Sequence, residues 1–284
     1  MHADGFLFRL KEIADAIALP HYVLRGRRPW SLGYYTMKKS CIAAAIDSQA
    51  VQTGRPLPNS FGIGIDERVV EYPWLFDRLR QNNGRLGRIL DAGSTLNHEY
   101  ILDRAPLRKA DLTIMTLAPE KRCYWYKGYS YVFGDFRETQ FKDASFDAII
   151  SISTLEHVGL DNTMLYTKDP TKLEADRSGF VDAIREFRRI LVPGGRCLIT
   201  VPYGRHENFD WFQIFDEEML RTLIESFSPS SFEVEFFRYD RIGWHRASAM
   251  EVANATAFDP HSGRGRLDDR AGCARAIACM QLVA

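Results

Sequence analysis

The stretch that decides the fold runs from residue 88 to residue 94 and reads Arg88-Ile-Leu-Asp-Ala-Gly-Ser94. Its apolar residues are typical of a buried strand, and Asp91 and Gly93 follow where that strand turns toward a helix. Glycine lets the backbone turn sharply beneath a cofactor, and the N-terminus of the next helix offers free N–H groups. Any α/β turn can use glycine in this way, so the motif becomes specific only together with the elements that follow.

Short β-rich runs alternate with helical ones from residue 88 onward, which predicts βαβ units and a mostly parallel sheet. The other predicted strands are Leu112–Leu117, Tyr129–Gly134, Phe146–Ile152, Cys197–Val201, Phe232–Tyr239 and Ala274–Val283, and the predicted helices among them cover residues 97–104, 179–191 and 216–227. The chain upstream shows helical spacing over residues 6–18 and 33–51. We therefore expect a helical N-terminal extension or lid over residues 1–65 and an α/β domain over residues 66–284.

Three further landmarks follow the first motif in order. Gly134 and Asp135 end the third strand, where a carboxylate can accept from an exocyclic amine. The run Phe146–His157 is a buried strand that leads into a polar turn. In Val192–Gly195, a proline and two glycines stop a helix and turn the chain into the next strand.

This order of landmarks resembles the class I S-adenosylmethionine-dependent methyltransferase family over roughly residues 67–240. The resemblance implies a Rossmann-like α/β fold, with a mostly parallel seven-stranded sheet and an antiparallel last strand. It also implies S-adenosyl-L-methionine as the cofactor and S-adenosyl-L-homocysteine as its product. The residues that it assigns to cofactor binding are Asp91, Gly93, Asp135 and Phe136. Ser153 and Thr154 are expected to line the cofactor pocket because of their position after the fourth strand.

Two positions depart from the family pattern. The usual loop has further glycines, whereas this chain continues Gly93-Ser-Thr-Leu-Asn-His98. We therefore expect side chains of Ser94 or Asn97 to take over part of the role that the glycine backbone has in the family. The second strand usually ends in an acid that holds the ribose hydroxyls, and here Thr116 stands in its place. Either Thr116 contacts the ribose, or Glu120 reaches back to it.

The loop Tyr203–Trp211, which follows the fifth strand, is expected to meet the substrate because ligands bind at the carboxyl ends of strands in open α/β sheets. Transfer to a hydroxyl requires removal of its proton, and a histidine or a carboxylate can accept it. His206 is the first candidate base, with Asp210 as its orienting partner or as the base itself; a solvated polar loop is the alternative. His157 is another candidate, and its alternative role is to cap a helix.

The composition limits the classes of partner. Of the 284 residues, 37 are basic and 37 acidic, so no overall charge points to nucleic acid or to an anionic membrane. The five cysteines are scattered without the spacing of zinc ligands, which predicts no metal site and favours a reducing cytoplasm. No apolar run is long enough for membrane insertion, and the sequence leaves the oligomeric state open.

Two kinds of function remain. The helical leader before the first motif resembles methyltransferases encoded with bacterial polysaccharide-assembly enzymes, which implies polysaccharide biosynthesis and O-methylation of a sugar, a glycan or another small hydroxyl substrate. The irregular glycine loop motivates the alternative of a catalytically inactive cofactor-binding protein that serves as a partner or scaffold. A nicotinamide-dependent oxidoreductase would need a Gly-x-Gly-x-x-Gly turn, which this sequence lacks.

Overall fold

The computed structural model describes residues 12–81, 87–120, 122–167 and 169–284. The predicted helix over residues 6–18 lies partly outside these ranges, and its described part is helical over residues 12–17 (α1). The remaining helices are α2 (Leu19–Leu24), α3 (Tyr34–Asp47), α4 (Arg68–Arg80), α5 (Glu99–Leu102), α6 (Thr163–Tyr166), α7 (Gly179–Ile190), α8 (Glu217–Phe227) and α9 (Ala249–Val252). Within these ranges, every helix is too short or too polar to cross a membrane.

One sheet organises the described chain. Its strands are β1 (Arg88–Ala92), β2 (Asp111–Thr116), β3 (Ser130–Phe133), β4 (Phe146–Ile152), β5 (Leu191–Pro202), β6 (Ser231–Asp240), β7 (Gly243–Ala247) and β8 (Ala276–Val283). They lie in the order β3-β2-β1-β4-β5-β8-β6-β7, and the pairings among β1 to β5 are parallel. The order reverses between β1 and β4, which is where α/β sheets bind ligands. The predicted Rossmann-like fold class is confirmed.

The sheet has eight strands in the described residues, rather than the seven expected from the sequence. The last strand, β8, pairs antiparallel with both β5 and β6, as expected. The additional strand is β7, which forms an antiparallel hairpin with β6 at the edge of the sheet. Gly243 opens it with φ +109°, and a Cβ there would lie 2.4 Å from the Phe61 carbonyl oxygen. The strand is five residues long and follows no glycine or asparagine turn, so the sequence pattern did not reveal it.

Apolar side chains are buried on both faces of the sheet. Phe180, Ile184 and Phe187 of α7 pack with Leu223 of α8 on one face, because their helical spacing gives each helix an apolar stripe. The other face is covered by α4 and by the N-terminal helices, whose buried side chains join the same cluster as Ile89. The described part of the N-terminal segment, residues 12–65, thus shares the core of the sheet, and the domain boundary at residue 65 stays a prediction.

Candidate active site

A cavity of about 650 Å³ lies at the carboxyl ends of β1 to β4. This volume is in the range that small-molecule and cofactor sites occupy. The sequence-predicted residues that line it are Gly93, Thr116, Glu120, Asp135, Phe136, Ser153, Thr154 and His157. Its lining does not include the other predicted site residues, which are Asp91, Ser94, Asn97, His206 and Asp210.

The turn after β1 is built by Asp91 and Gly93. The Asp91 carboxylate is fully buried and accepts the Leu96 N–H at 2.9 Å, so this side chain holds the turn from below. Burial raises the pKa of Asp91 to about 7, against the lowering effect of that hydrogen bond. Gly93 adopts φ +122°, and a Cβ there would lie 2.2 Å from the Thr154 hydroxyl oxygen. Only glycine therefore allows the turn after β1 to approach the turn after β4.

The two side chains expected to replace missing glycines do not line the cavity. Ser94 is buried in a left-handed conformation with φ +57°, and its hydroxyl has no hydrogen-bond partner within the described residues. The Asn97 amide donates to Glu120 Oε2 and to the Arg122 carbonyl, each at 2.9 Å, and accepts from the Tyr131 hydroxyl at 2.9 Å. Asn97 therefore positions Glu120, which does line the cavity together with Thr116.

Asp135 is held by an arginine that the sequence analysis did not single out. The Arg137 Nη2 atom lies 2.6 Å from Asp135 Oδ2, and Nε lies 3.0 Å from both carboxylate oxygens. Burial raises the pKa of Asp135, but the hydrogen bonds from Arg137 outweigh it and keep the pKa below the ordinary value. Arg137 also donates to Glu174 at 2.8 Å. Glu174 is 37 residues away in sequence, and no local pattern reveals this ion pair.

The turn after β4 is fixed from behind by α4. The Ser153 hydroxyl and the Thr200 hydroxyl each donate to Glu71 Oε1 at 2.6 Å. The Ser153 N–H also donates to the Thr200 carbonyl at 3.0 Å. Glu71 is fully buried and pairs through Oε2 with Arg68. Ser153 and Thr154 thus present a rigid wall to the cavity, whose position depends on a carboxylate from the helix before β1.

His157 also belongs to the cavity wall, and its hydrogen bond defines its tautomer. Nδ1 lies 2.8 Å from the Trp211 carbonyl oxygen, and because a carbonyl only accepts, Nδ1 carries the proton. Nε2 then keeps its lone pair. The ring stacks on the Trp211 ring with centroids 5.0 Å apart. Burial lowers the pKa of His157 to about 4, so the imidazole is neutral at physiological pH.

The loop after β5 does not line the cavity and contacts its wall instead. His206 and Asp210 are both exposed and are not among the lining residues. The expected pairing of the two side chains is not among the hydrogen bonds of the described residues, because His206 Nδ1 contacts the Ile214 carbonyl at 2.9 Å instead. Phe209 and Phe212 stack with centroids 4.5 Å apart and form a small core with Ile214. The loop therefore packs as a scaffold, and its Trp211 carbonyl orients His157.

Within the described ranges, no group of three or more His, Cys, Asp or Glu side chains is placed to hold a metal ion. All five cysteines are free thiols.

Three solved structures are among those similar to this chain. A methyltransferase from Bacillus halodurans C-125, described as putative, is 12% identical over 72% of this chain and 96% of its own, with a TM-score of 0.44. The 1,6-didemethyltoxoflavin-N1-methyltransferase of Burkholderia thailandensis, solved with S-adenosylhomocysteine, is 16% identical over 72% and 74%, with a TM-score of 0.41. The [4+2]-cyclase SpnF is 20% identical over 59% and 61%, with a TM-score of 0.39, so the match spans about three fifths of that protein. No curated protein matches the sequence.

A family model adds a more local match. Residues 92–199, a little over a third of the chain, match a family described as a methyltransferase domain. The matched segment begins in β1, ends in β5 and contains every turn that lines the cavity. This match over residues 92–199 supports the predicted methyltransferase class and the S-adenosylmethionine cofactor predicted with it.

Proposed function

We propose that the protein transfers a methyl group from S-adenosylmethionine to a hydroxyl oxygen of a small molecule or sugar, with His157 as the general base. The observation that carries the proposal is the neutral His157 ring on the cavity wall, with its Nδ1 proton held by a carbonyl and its Nε2 lone pair unengaged by any hydrogen bond in the described residues. This tautomer leaves Nε2 available to accept a proton.

The lining residues suit the cofactor. The cavity is lined by the Gly93 turn, by Thr116 and Glu120, and by Asp135 and Phe136, so residues expected to hold the cofactor share one cavity. Thr116 and Glu120 would hold the ribose hydroxyls, and Asp135 would accept from the exocyclic amine of adenine. The glycine at position 93, where a Cβ would collide with Thr154, leaves the backbone bare at the cavity wall.

The protein contributes positioning and one proton transfer to the proposed reaction. Bound S-adenosylmethionine supplies an electrophilic methyl group. The rigid Ser153–Thr154 turn orients donor and acceptor, and positioning of this kind accounts for a large share of the barrier in displacements between two bound molecules. His157 Nε2 then accepts the hydroxyl proton as the oxygen attacks the methyl carbon. His206 or Asp210 would have to move onto the cavity to take the same role.

The cellular compartment and the methyl acceptor are also part of the proposal. The free cysteines support a reducing compartment such as the cytoplasm. A sugar or glycan acceptor rests on the resemblance of the helical leader to polysaccharide-associated methyltransferases.

Calorimetry and methyl transfer test the proposal together. Titration with S-adenosylhomocysteine should release or absorb heat with one site per chain. Incubation with methyl-labelled S-adenosylmethionine and two matched panels, of hydroxyl and of amine acceptors, should label a hydroxyl compound. Binding without labelling of either panel would favour the inactive scaffold. Absence of binding would refute the enzyme.

A further inference from the structure

Two loops that carry arginine residues meet outside the lining of the cavity. The first spans Arg25–Arg28, directly after α2, and the second contains Arg270, ahead of β8. The Arg270 guanidinium packs against the first loop, because a Cβ at Gly26 would lie 3.4 Å from Arg270 Nη2. The Trp30 indole N–H also donates to the Gly272 carbonyl at 2.6 Å. The two loops are therefore in direct contact, although they are far apart in the sequence.

The backbones of Arg27 and Arg270 are fixed by one tyrosine. The Tyr239 hydroxyl, near the end of β6, donates to the Arg270 carbonyl at 3.0 Å and accepts from the Gly64 N–H at 2.9 Å. Gly64 packs on the first loop, because a Cβ there would lie 2.6 Å from the Arg27 carbonyl oxygen. Both arginines adopt the left-handed conformation, with φ +57° and +61°, which non-glycine residues keep only where the surrounding structure fixes them. The fold thus holds two strained arginine residues in neighbouring positions.

The guanidinium groups of these two arginines lie in one neighbourhood and are open to solvent. Burial raises the pKa of Tyr22, and the positive charge of Arg27 opposes that rise. Burial likewise raises the pKa of Tyr239, where Arg270 opposes the rise, and the two phenols interact electrostatically. Arg27 is half-buried and Arg270 is exposed, so a ligand can reach both from solvent. With two further exposed arginines of the first loop they form a set of four, the arginine cluster, which consists of Arg25, Arg27, Arg28 and Arg270.

Two acids that border the arginine cluster are already paired with other cations. Asp269, in the second loop, has its Oδ2 atom 2.5 Å from Arg275 Nε. Asp66, which packs against Gly272, has its Oδ2 atom 2.5 Å from Lys38 Nζ. By contrast, the four arginines of the cluster form no ion pair with an acid of the described residues. Like charges repel each other, and an anion bound among them would remove that repulsion.

We propose that the arginine cluster is a subsite for a phosphate group. A guanidinium presents a rigid fork of N–H donors that matches two phosphate oxygens, and it stays charged at physiological pH. A phosphate monoester carries about two negative charges at neutral pH, whereas a carboxylate carries one, so a phosphate offsets more than one guanidinium. Unpaired arginines on a fixed backbone are therefore better matched to phosphate than to a carboxylate.

The arginine cluster and the cavity lie at the same edge of the sheet. The strands β5 and β6 run in the same direction, because each pairs antiparallel with β8, so the Tyr239 end of β6 is a carboxyl end like the Ile152 end of β4. Three strand spacings separate β4 from β6, which amounts to about 14 Å. A phosphorylated acceptor of that length would reach from His157 to the cluster. The assignment of the phosphate to the methyl acceptor rests on the proposed function, and the other source is a separate phosphate-bearing ligand.

Calorimetry with pyrophosphate tests the subsite without any methyl transfer. The full chain is titrated at low ionic strength, because salt screens exposed charges. Arg27→Asn and Arg270→Asn should each weaken pyrophosphate at least about tenfold, as expected for a lost hydrogen bond to a charged group. Asparagine accepts the left-handed conformation, so both variants should keep the melting temperature of the wild type. Arg221→Gln, on the exposed side of α8, is the matched control and should bind as the wild type does.

A lysine variant separates a formed subsite from diffuse attraction to positive charge. Arg270→Lys keeps the charge and loses the fork of donors, so it should weaken pyrophosphate several-fold. The subsite is overturned if the wild type gives no heat with pyrophosphate, or if Arg27→Asn and Arg270→Asn bind it as tightly as the wild type. Wild-type affinity in Arg270→Lys, or an equal loss in Arg221→Gln, would overturn it as well.

Methyl-transfer kinetics then identify the source of the phosphate. The hydroxyl compound that the labelled donor methylates is assayed with and without a phosphate group. If the acceptor carries the phosphate, the phosphorylated form should have the lower KM in the wild type, and Arg270→Asn should remove that difference with kcat unchanged. Equal KM values, together with pyrophosphate binding in calorimetry, would assign the subsite to a separate ligand. Absence of any labelled compound would contradict the proposed function alone, because the calorimetric result does not depend on it.

Discussion

The loops that follow β4 and β5 leave the same edge of the sheet and have different tasks. The loop after β4 presents Ser153, Thr154 and His157 to the cavity. The loop after β5 stacks its aromatic rings into a small core of its own and exposes His206 and Asp210. Among the contacts between them are the hydrogen bond from His157 Nδ1 to the Trp211 carbonyl and the stacking of the two rings. The loop after β4 thus carries the proposed base, and the loop after β5 sets the tautomer of that side chain.

A position at the carboxyl end of a strand does not by itself bring a side chain to the cavity. Both loops begin at the carboxyl end of a strand, and both contain a histidine near an acid. The difference arises from packing. Phe209 and Phe212 draw the second loop onto Ala257, whereas the first loop has Glu71 beneath it and is held against the cavity.

The largest expected effect concerns two glycines at which an added Cβ would be equally crowded. One packs against the turn after β4, and the other lies in the loop after β5. At Gly93 a Cβ would lie 2.2 Å from Thr154 Oγ1, and at Gly204, in the loop after β5, 2.2 Å from the Ala255 carbonyl oxygen. Both residues have a positive φ, so alanine at either should cost about 1–2 kcal/mol from conformation alone. Gly93→Ala should also abolish S-adenosylhomocysteine binding in calorimetry. Gly204→Ala should lower the melting temperature but keep the affinity of the folded protein. Equal loss of binding in both variants would remove the distinction between the loops.

The second effect concerns the two histidines. His157→Gln should lower turnover by about 10²–10⁴-fold, because the general base is lost, while S-adenosylhomocysteine affinity is kept. His206→Gln should change turnover by no more than about twofold, as for an exposed residue outside the site. Initial rates with the labelled donor measure both. A large loss at His206 and none at His157 would return the catalytic role to the loop after β5.

The pH dependence of turnover sharpens the assignment of the base. Only the unprotonated ring accepts a proton, and burial lowers the pKa of His157 to about 4. Turnover should therefore stay level as the pH falls from 8 to about 5, and should decline only as the pH approaches the lowered pKa. An ordinary histidine would instead lose activity around pH 6.5. A rate profile that falls near pH 6.5 would contradict a buried base.

The third effect lies at the opposite end of the cavity, at Asp135. Asp135→Asn should weaken S-adenosylhomocysteine about 10–100-fold, because a hydrogen bond to a charged group is lost. Arg137 occupies both carboxylate oxygens in the structure, so Arg137→Gln frees them and should bind at least as tightly as the wild type. If Arg137→Gln weakens binding as much as Asp135→Asn does, the arginine and not the aspartate contacts the cofactor.

Features fixed by local sequence could be predicted, and features fixed by distant contacts could not. The bounds of β1 and β4 were predicted as the structure has them, because an apolar run and the turn beyond it mark each end. Gly93, Asp135, Ser153 and Thr154 line the cavity, as expected for residues at or just beyond strand ends. The direction in which a loop side chain points depends on what packs behind it. The sequence pattern therefore favours His206 over His157, and it gives no sign of the partners of Arg137 and Asn97.

The smallest effect tests a side chain that only tertiary contacts hold in place. Glu120 follows β2 without belonging to it, and the Asn97 amide fixes it at 2.9 Å. If Glu120 holds the ribose in place of the missing strand-end acid, Glu120→Gln should weaken S-adenosylhomocysteine about 3–10-fold, the size of one hydrogen bond. Asn97→Ala should reproduce part of that loss although Asn97 does not line the cavity, and the double variant should lose no more than Glu120→Gln alone, because both act through one carboxylate. Thr116→Val, which removes the other candidate donor, should then leave the affinity unchanged. Additive losses from Glu120→Gln and Asn97→Ala would show instead that Asn97 acts independently of Glu120, and a larger loss at Thr116 would move the ribose contact to the end of β2.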